Sequence, residues 1–231
     1  MLMKIILTEV SKPVGISLEF ANKEYFIHPG IFYSYVIALF ICLFCILVAY
    51  KVKRADPSKR PKGLVFFAEY FVTSINNFTK QNLSEGRRSL APYLGMLAMY
   101  LLISNLSGLL SFVPPTSDFN VTLTLALITI VMAQIYGIKV DGVKNYFRSF
   151  TEPYVFLLPN NLLDLITTPL SMALRLFGNV LAGAIIMSLV YNALGFISVL
   201  VAPVFHAYFD VFAGGIQTFV FVLLTAVTVE K

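Results

Sequence analysis

Between Glu24 and Lys51 the chain carries no Asp, Glu, Lys or Arg, and the same holds for residues 89–117, 119–138, 176–209 and 211–229. Uncharged runs of this length match the roughly 20 residues with which a helix crosses the hydrocarbon of a bilayer. They dominate the chain. Charged residues make up 13% of its 231 positions, about half of the roughly 25% usual in soluble domains, and mean hydropathy is +0.82. The expected fold is a single all-α membrane domain, with no length left for a soluble catalytic domain.

The net charge of +5 does not point to nucleic acid, because the basic residues cluster in loops beside apolar runs. There they act as an orientation signal. Residues 51–62 hold six basic side chains and one acid, which makes this loop cytoplasmic and the N-terminal segment, residues 1–30, external. Five crossings are expected, over residues 31–50, 90–113, 119–138, 160–191 and 197–229, which leaves the C-terminus inside. Of the 17 basic residues, 12 fall in the three segments so assigned to the cytoplasm. The last two segments exceed a perpendicular span, which implies strong tilt or bending. Residues 63–82 differ: apolar side chains at 64, 67, 68, 71, 72, 75 and 78 alternate at helical spacing with polar ones at 69, 73, 76, 77 and 80. That pattern predicts an amphipathic helix along the cytoplasmic interface, where it also meets lipid; packing sideways within the protein is the alternative. Cys42 and Cys45 lie in an apolar run with no matching Cys/His pair, so neither a disulfide nor a metal site is expected. Residues 1–28 mix Lys and Glu with apolar residues and lack the pattern of a signal peptide.

A few polar residues interrupt the last two apolar segments: Asp164, Arg175, Asn179, His206, Asp210 and Gln217. Arg175 is the only Lys or Arg between Arg148 and Lys231. A guanidinium stays protonated, and holding one in hydrocarbon costs at least about 2.5 kcal/mol. Such a cost calls for a partner charge or a polar passage. The expected topology orders the set by depth. Asp164 lies toward the cytoplasm, eleven residues or roughly 16 Å below Arg175, and Asn179 is one turn beyond on the same face. Asp210 and His206 lie on the outer side of the returning helix, and Gln217 lies deeper, expected to meet Arg175 near mid-membrane. Asp210 has no Lys or Arg near it in sequence. Two carboxylates on opposite sides of a fixed cation fit two aqueous half-pathways that do not connect. A cation beside a carboxylate favours its ionised form, so Arg175 suits the task of discharging an acid on another chain. Small residues at Gly178, 182–184 and 213–215 permit a close helix approach nearby.

The string Leu174-Arg-Leu-Phe-Gly-Asn179, followed by Ala182-Gly183, resembles the signature of subunit a of bacterial F-type ATP synthases. Ser104-Asn105-Leu-Ser-Gly108, Thr122-Leu-Thr-Leu-Ala126 and Gly215-Ile-Gln-Thr-Phe219 extend the resemblance over nearly the whole chain. It implies a stator in the bacterial plasma membrane with five membrane helices plus the interfacial one, the last two tilted around a rotor ring. Its partners would be the c-ring and peripheral-stalk b subunits. Arg175 would face the carboxylate of each passing c-subunit, with Gln217 and Asn179 matching the family's glutamine and asparagine. Asp164 falls where relatives often carry two glutamates, here followed by Leu165. Many relatives carry Glu after Ala-Gly, where this chain has Ala184, and Asp210 stands where some carry histidine, so Asp210 is expected to take over the outer acid's task. The chain has no GxxxxGK[ST] loop, so no nucleotide site and no cofactor are expected in it. The ion could be a proton or sodium. The alternative is a self-contained secondary transporter with its site at Arg175, for which internal repeats would be the signature.

Overall fold

The computed structural model describes residues 16–20, 23–27, 29–54, 63–110, 112–149, 156 and 158–230. Of the expected external segment, a small antiparallel hairpin is described: β1 (Ile16–Phe20) pairs with β2 (Lys23–Ile27), with Leu18 opposite Tyr25. The rest of residues 1–28, and positions 55–62 of the basic loop, lie outside the described residues.

Everything else regular is helical. Helix α1 (Pro29–Lys53) opens on proline, whose missing N–H costs nothing in a first turn. It is apolar all round and touches the rest of the protein along a narrow seam where Ile37 and Ile41 are buried, while Leu39, Phe40, Leu43, Ile46 and Leu47 are exposed. Its polar tie is Ser34 Oγ to the Tyr100 hydroxyl at 2.7 Å. Helix α2 (Leu64–Asn82) is the amphipathic element. Phe67 and Val72, on the apolar side read from spacing, are exposed, as side chains that meet lipid would be. The packed side is Ala68, Phe71, Ile75, Phe78 and the buried Thr79. Phe71 and Ile75 sit over Gly95, and Phe78 meets Phe219 edge-on at 6.0 Å. The helix has more aromatic residues than one apolar stripe can bury.

A 3₁₀ turn (Glu85–Leu90) leads into α3 (Ala91–Leu106), which ends in a second 3₁₀ turn (Ser107–Leu110). Helix α4 (Phe119–Asp141) is capped by the Asp118 carboxylate, which accepts from the Asn120 N–H at 2.9 Å. It stops at Gly142, whose φ of 79° favours glycine, and α5 (Val143–Ser149) follows. Helix α6 (Leu158–Leu194) has 37 residues, about 55 Å at 1.5 Å per residue. It outruns a hydrocarbon layer of about 30 Å. A turn at Gly195–Ile197, with Gly195 at φ 49°, reverses the chain into α7 (Ser198–His206). A π-helical segment (Ala207–Ala213) then joins α7 to α8 (Gly214–Glu230).

Among the described residues four stretches are long and apolar enough to cross a membrane: Gly30–Lys53, Glu85–Leu109, Phe119–Asp141 and Asn161–Glu230. The last spans 70 residues and contains the turn at Gly195–Ile197, so it holds both of the final two segments read from the sequence.

The core lies among α3, α4, α6 and α8, in two clusters. One joins Leu83, Leu90, Leu94, Ala133, Val222 and Ala226; the other joins Leu97, Leu101, Ala126, Met172, Leu176 and Phe221. Threonines buried among them return their hydroxyls to their own helix: Thr122 to Phe119 O at 3.0 Å, Thr129 to Leu125 O at 3.0 Å and Thr225 to Phe221 O at 2.9 Å. None of these three hydroxyls is therefore stranded. At the end of the bundle where α4 and α8 stop, Arg87, 7% exposed, ties three elements together. Its guanidinium donates to Asp141 and to the Glu230 carbonyl, the latter at 2.6 Å. Asp141 and Glu230 each end a helix, where the macrodipole disfavours an anion; the guanidinium offsets this.

Candidate functional site

Helices α6 and α8 carry the site. Each passes from one cavity to a second, with the apolar cluster of Met172, Ala173, Leu176 and Phe221 between them. The first cavity, about 350 Å³, is lined from α6 by Asn179, Gly183 and Ala184 and from the α7–α8 arm by His206, Asp210 and Gln217. The second, about 450 Å³, is lined from α6 by Asn161 and Asp164 and elsewhere by Arg87, Gln134, Asp141 and Tyr146. Arg175 falls between the two linings along α6 and belongs to neither.

Arg175 is exposed. Among the described residues it has no hydrogen bond or ion pair, so its charge is presented outward. The expected meeting of Arg175 with Gln217 is not formed. Asn179 instead donates Nδ2 to Gln217 Oε1 at 2.6 Å. Gln217 is 4% exposed, and its Nε2 has no acceptor. The amide pair arises because residue 179 faces α8 one turn after 175, while the guanidinium turns to the open side. A buried donor without an acceptor costs about 1–3 kcal/mol; within the chain the amide's bonded partner is Asn179.

Asp210 lies in the π-helical segment, a wider turn that shifts the register of its side chains relative to α8. Its carboxylate packs over Gly108, where an added Cβ would stand 3.1 Å from Oδ1. The π segment runs into α8 at Gly214, which a Cβ would bring to 2.9 Å from Asn105 Cβ. Asn105 is fully employed there. Its Nδ2 donates to Gly214 O at 3.0 Å and Thr218 Oγ1 at 3.3 Å, and its Oδ1 accepts from Thr116 at 3.2 Å. The sequence shows no Lys or Arg near Asp210, but a partner stands four residues away: His206 Nδ1 lies 2.7 Å from Asp210 Oδ2. His206 Nε2 is 3.0 Å from the Tyr191 hydroxyl.

The structure thus gathers Asn179, Gln217, His206 and Asp210 at one cavity, puts Asp164 at the other, and leaves Arg175 bare between them. In the second cavity burial raises the Tyr146 hydroxyl above its ordinary value, so it stays a protonated donor. Tyr191, Gly108, Arg87 and Asp141 were not singled out as site residues from the sequence. Tyr191 reaches His206 only because the turn at Gly195–Ile197 folds α7 back on α6, which no local spacing reveals. Gly108 carried a usable signal: a glycine in an apolar helix marks a close approach.

The sequence profile of the ATP synthase A chain family matches residues 31–229. The chain is 32% identical to the ATP synthase subunit a of Oceanobacillus iheyensis over 209 residues, 84% of this chain and 85% of that one. It is 33% identical to the ATP synthase subunit a of Mycoplasma genitalium over 223 residues, 85% and 75% of the two chains. To the sodium-ion-specific ATP synthase subunit a of Propionigenium modestum it is 31% identical over 207 residues, 83% and 70%. With its arginine-bearing helix, its paired apolar spans and a match over most of its length, the chain belongs to the ATP synthase subunit a family.

Proposed function

We propose that the chain is the ion-conducting stator of an F-type ATP synthase, offering two offset half-channels to the carboxylates of a rotor ring and keeping them apart with Arg175. It would lie in the bacterial plasma membrane with its N-terminus outside and its C-terminus in the cytoplasm, against the c-ring and the peripheral-stalk b subunits. The observation that carries this reading is the pairing of two cavities on one pair of helices with a bare guanidinium between them. The first cavity would be the outer half-channel, with Asp210 and His206 as its titratable groups. The second would be the cytoplasmic one, with Asp164. An ion on a ring carboxylate enters from one cavity and leaves by the other. In between, the carboxylate meets Arg175, which favours its ionised state and so strips it.

The apolar cluster between the cavities supports the barrier, since an ion finds no polar route through Leu176 and Phe221. An outward-facing Arg175 is poorly placed for the alternative of a self-contained transporter, which would enclose its substrate. Arg175→Ala in the assembled complex is expected to abolish ion-coupled ATP synthesis while the complex still assembles. Arg175→Lys should also be strongly impaired, because a compact ammonium lacks the planar fork and sheds its proton more readily. Synthesis at the normal rate by assembled Arg175→Ala complexes, measured in energised vesicles, would overturn the proposal.

A further inference from the structure

From the charge left over at one end of the bundle we infer that this end binds the head groups of anionic phospholipids, through Lys51, Lys53 and Arg54 after α1 and the aromatic start of α2. The contacts of α1 fix which end it is. Near its start, Ser34 meets Tyr100 and the Tyr33 ring meets Phe112 at 5.5 Å, both toward or past the end of α3. Helix α1 therefore runs back along α3 and ends beside its start. Helix α2 packs on α1 and crosses the same start, with Phe71 and Ile75 over Gly95. Arg87, just before α3, binds the ends of α4 and α8 here as well.

The acids of this end are largely engaged within the chain. Asp141 and Glu230 pair with Arg87, and Glu85 pairs with Arg88. Lys51, Lys53, Arg54, Lys80, Lys139 and Lys144 are exposed and form no ion pair among the described residues. Against them stands Glu69, exposed on α2. Two of the cations lie over tyrosine rings, Arg54 at 4.1 Å from the centroid of Tyr50 and Lys139 at 5.7 Å from that of Tyr136. A tyrosine and a long basic side chain together at the end of an apolar helix suit the boundary between acyl chains and head groups.

The outer line of α2 shows how far the acyl chains reach. Positions 66, 70, 73, 77 and 81 follow at steps of three or four residues, and all five are exposed. They read Phe, Tyr, Thr, Asn and Gln. The rings of Phe66 and Tyr70 stack at 6.5 Å, and Phe67 beside them is 71% exposed. The line is thus apolar at its start and polar from Thr73 onward. A partner helix laid along α2 would need an apolar line throughout. A lipid needs one only where its acyl chains lie, and its phosphate supplies the anion that the lysines lack.

The test uses the whole complex in vesicles of equal parts phosphatidylcholine and phosphatidylglycerol. The chain has no tryptophan, so Phe66→Trp adds a reporter, read as the difference in emission from the complex without it. Bromine is placed on the acyl chains of one lipid or the other, and quenching gives the local ratio of the two. Phosphatidylglycerol is expected to be enriched about fivefold, the worth of one surface cation. Combined Lys51→Gln, Lys53→Gln and Arg54→Gln should bring the ratio to about one, whereas Lys51→Arg with Lys53→Arg should keep it, since the charge is kept. The ratio should also fall toward one as salt is raised with all three cations intact, a measurement that needs no change to them. Equal quenching by both lipids, or a preference insensitive to salt, would overturn the proposal. Quenching by neither lipid would overturn it as well, and would assign this face of α2 to a protein partner.

Discussion

At the scale of the residue, Asp210 and Ala184 face one cavity from adjacent helices, and only one of them is an acid. If Asp210 serves the outer path, Asp210→Asn should lower ATP-driven pumping on the order of a hundredfold, the usual worth of a positioned acid–base group. Adding Ala184→Glu restores a carboxylate to the same space and should recover part of the rate. In the wild-type background Ala184→Glu should give no gain, because it sets two like charges in one cavity. Full-speed pumping by Asp210→Asn would remove this residue from the path. The identities of the polar residues were legible in the sequence because ionisable groups in apolar runs are few. Their pairings were not. Gln217 was expected at Arg175 and is bonded to Asn179, since spacing alone does not say which of two residues one turn apart on the same face a neighbouring helix reaches.

At the scale of the element, the crossing of α3 and α8 depends on Gly214. A Cβ there would stand 2.9 Å from Asn105 Cβ, whereas at Gly215 it would meet nothing within 4 Å. Gly214→Ala should therefore destabilise the chain by about 1–3 kcal/mol through overpacking, and it should loosen the Asn105 bonds that hold the end of the π segment. Gly215→Ala should leave stability unchanged or raise it slightly through helix propensity. Thermal unfolding of the two variants in detergent compares them directly, and an equal Tm would contradict the argument. The end of α6 lies inside an uncharged run with no charged border, whereas the C-terminal ends of α1 and α4 were legible because Lys51 and Lys139 close their uncharged runs. The π segment was not, since nothing in the spacing of Ala207–Ala213 marks the wider turn. For α2 the spacing marked the apolar residues but not those that pack inside the chain: with Phe66, Phe67 and Tyr70 clustered, periodicity alone cannot say which aromatic residues are buried.

At the scale of the molecule, the two cavities should open to opposite sides of the membrane. Cysteines introduced as Asp164→Cys and Asp210→Cys should react with a membrane-impermeant thiol reagent from opposite faces, Asp164→Cys from the cytoplasm. The experiment needs Cys42→Ser and Cys45→Ser as its background, because both native thiols are exposed on α1. Labelling of both positions from one face would overturn the arrangement. The bare guanidinium of Arg175 also bears on how such a chain comes to exist in a cell. Alone in lipid it must hold a charge in hydrocarbon at a cost of about 2.5–3.5 kcal/mol or more, together with the unmet donor of Gln217. The first of these ends when another surface bearing an acceptor covers the guanidinium, and whatever covers it stabilises the folded chain by mass action. The same charge that would strip an ion from a passing carboxylate thus makes the newly made chain an unfinished object. Its lifetime in the membrane is set by how soon the rest of the machine arrives.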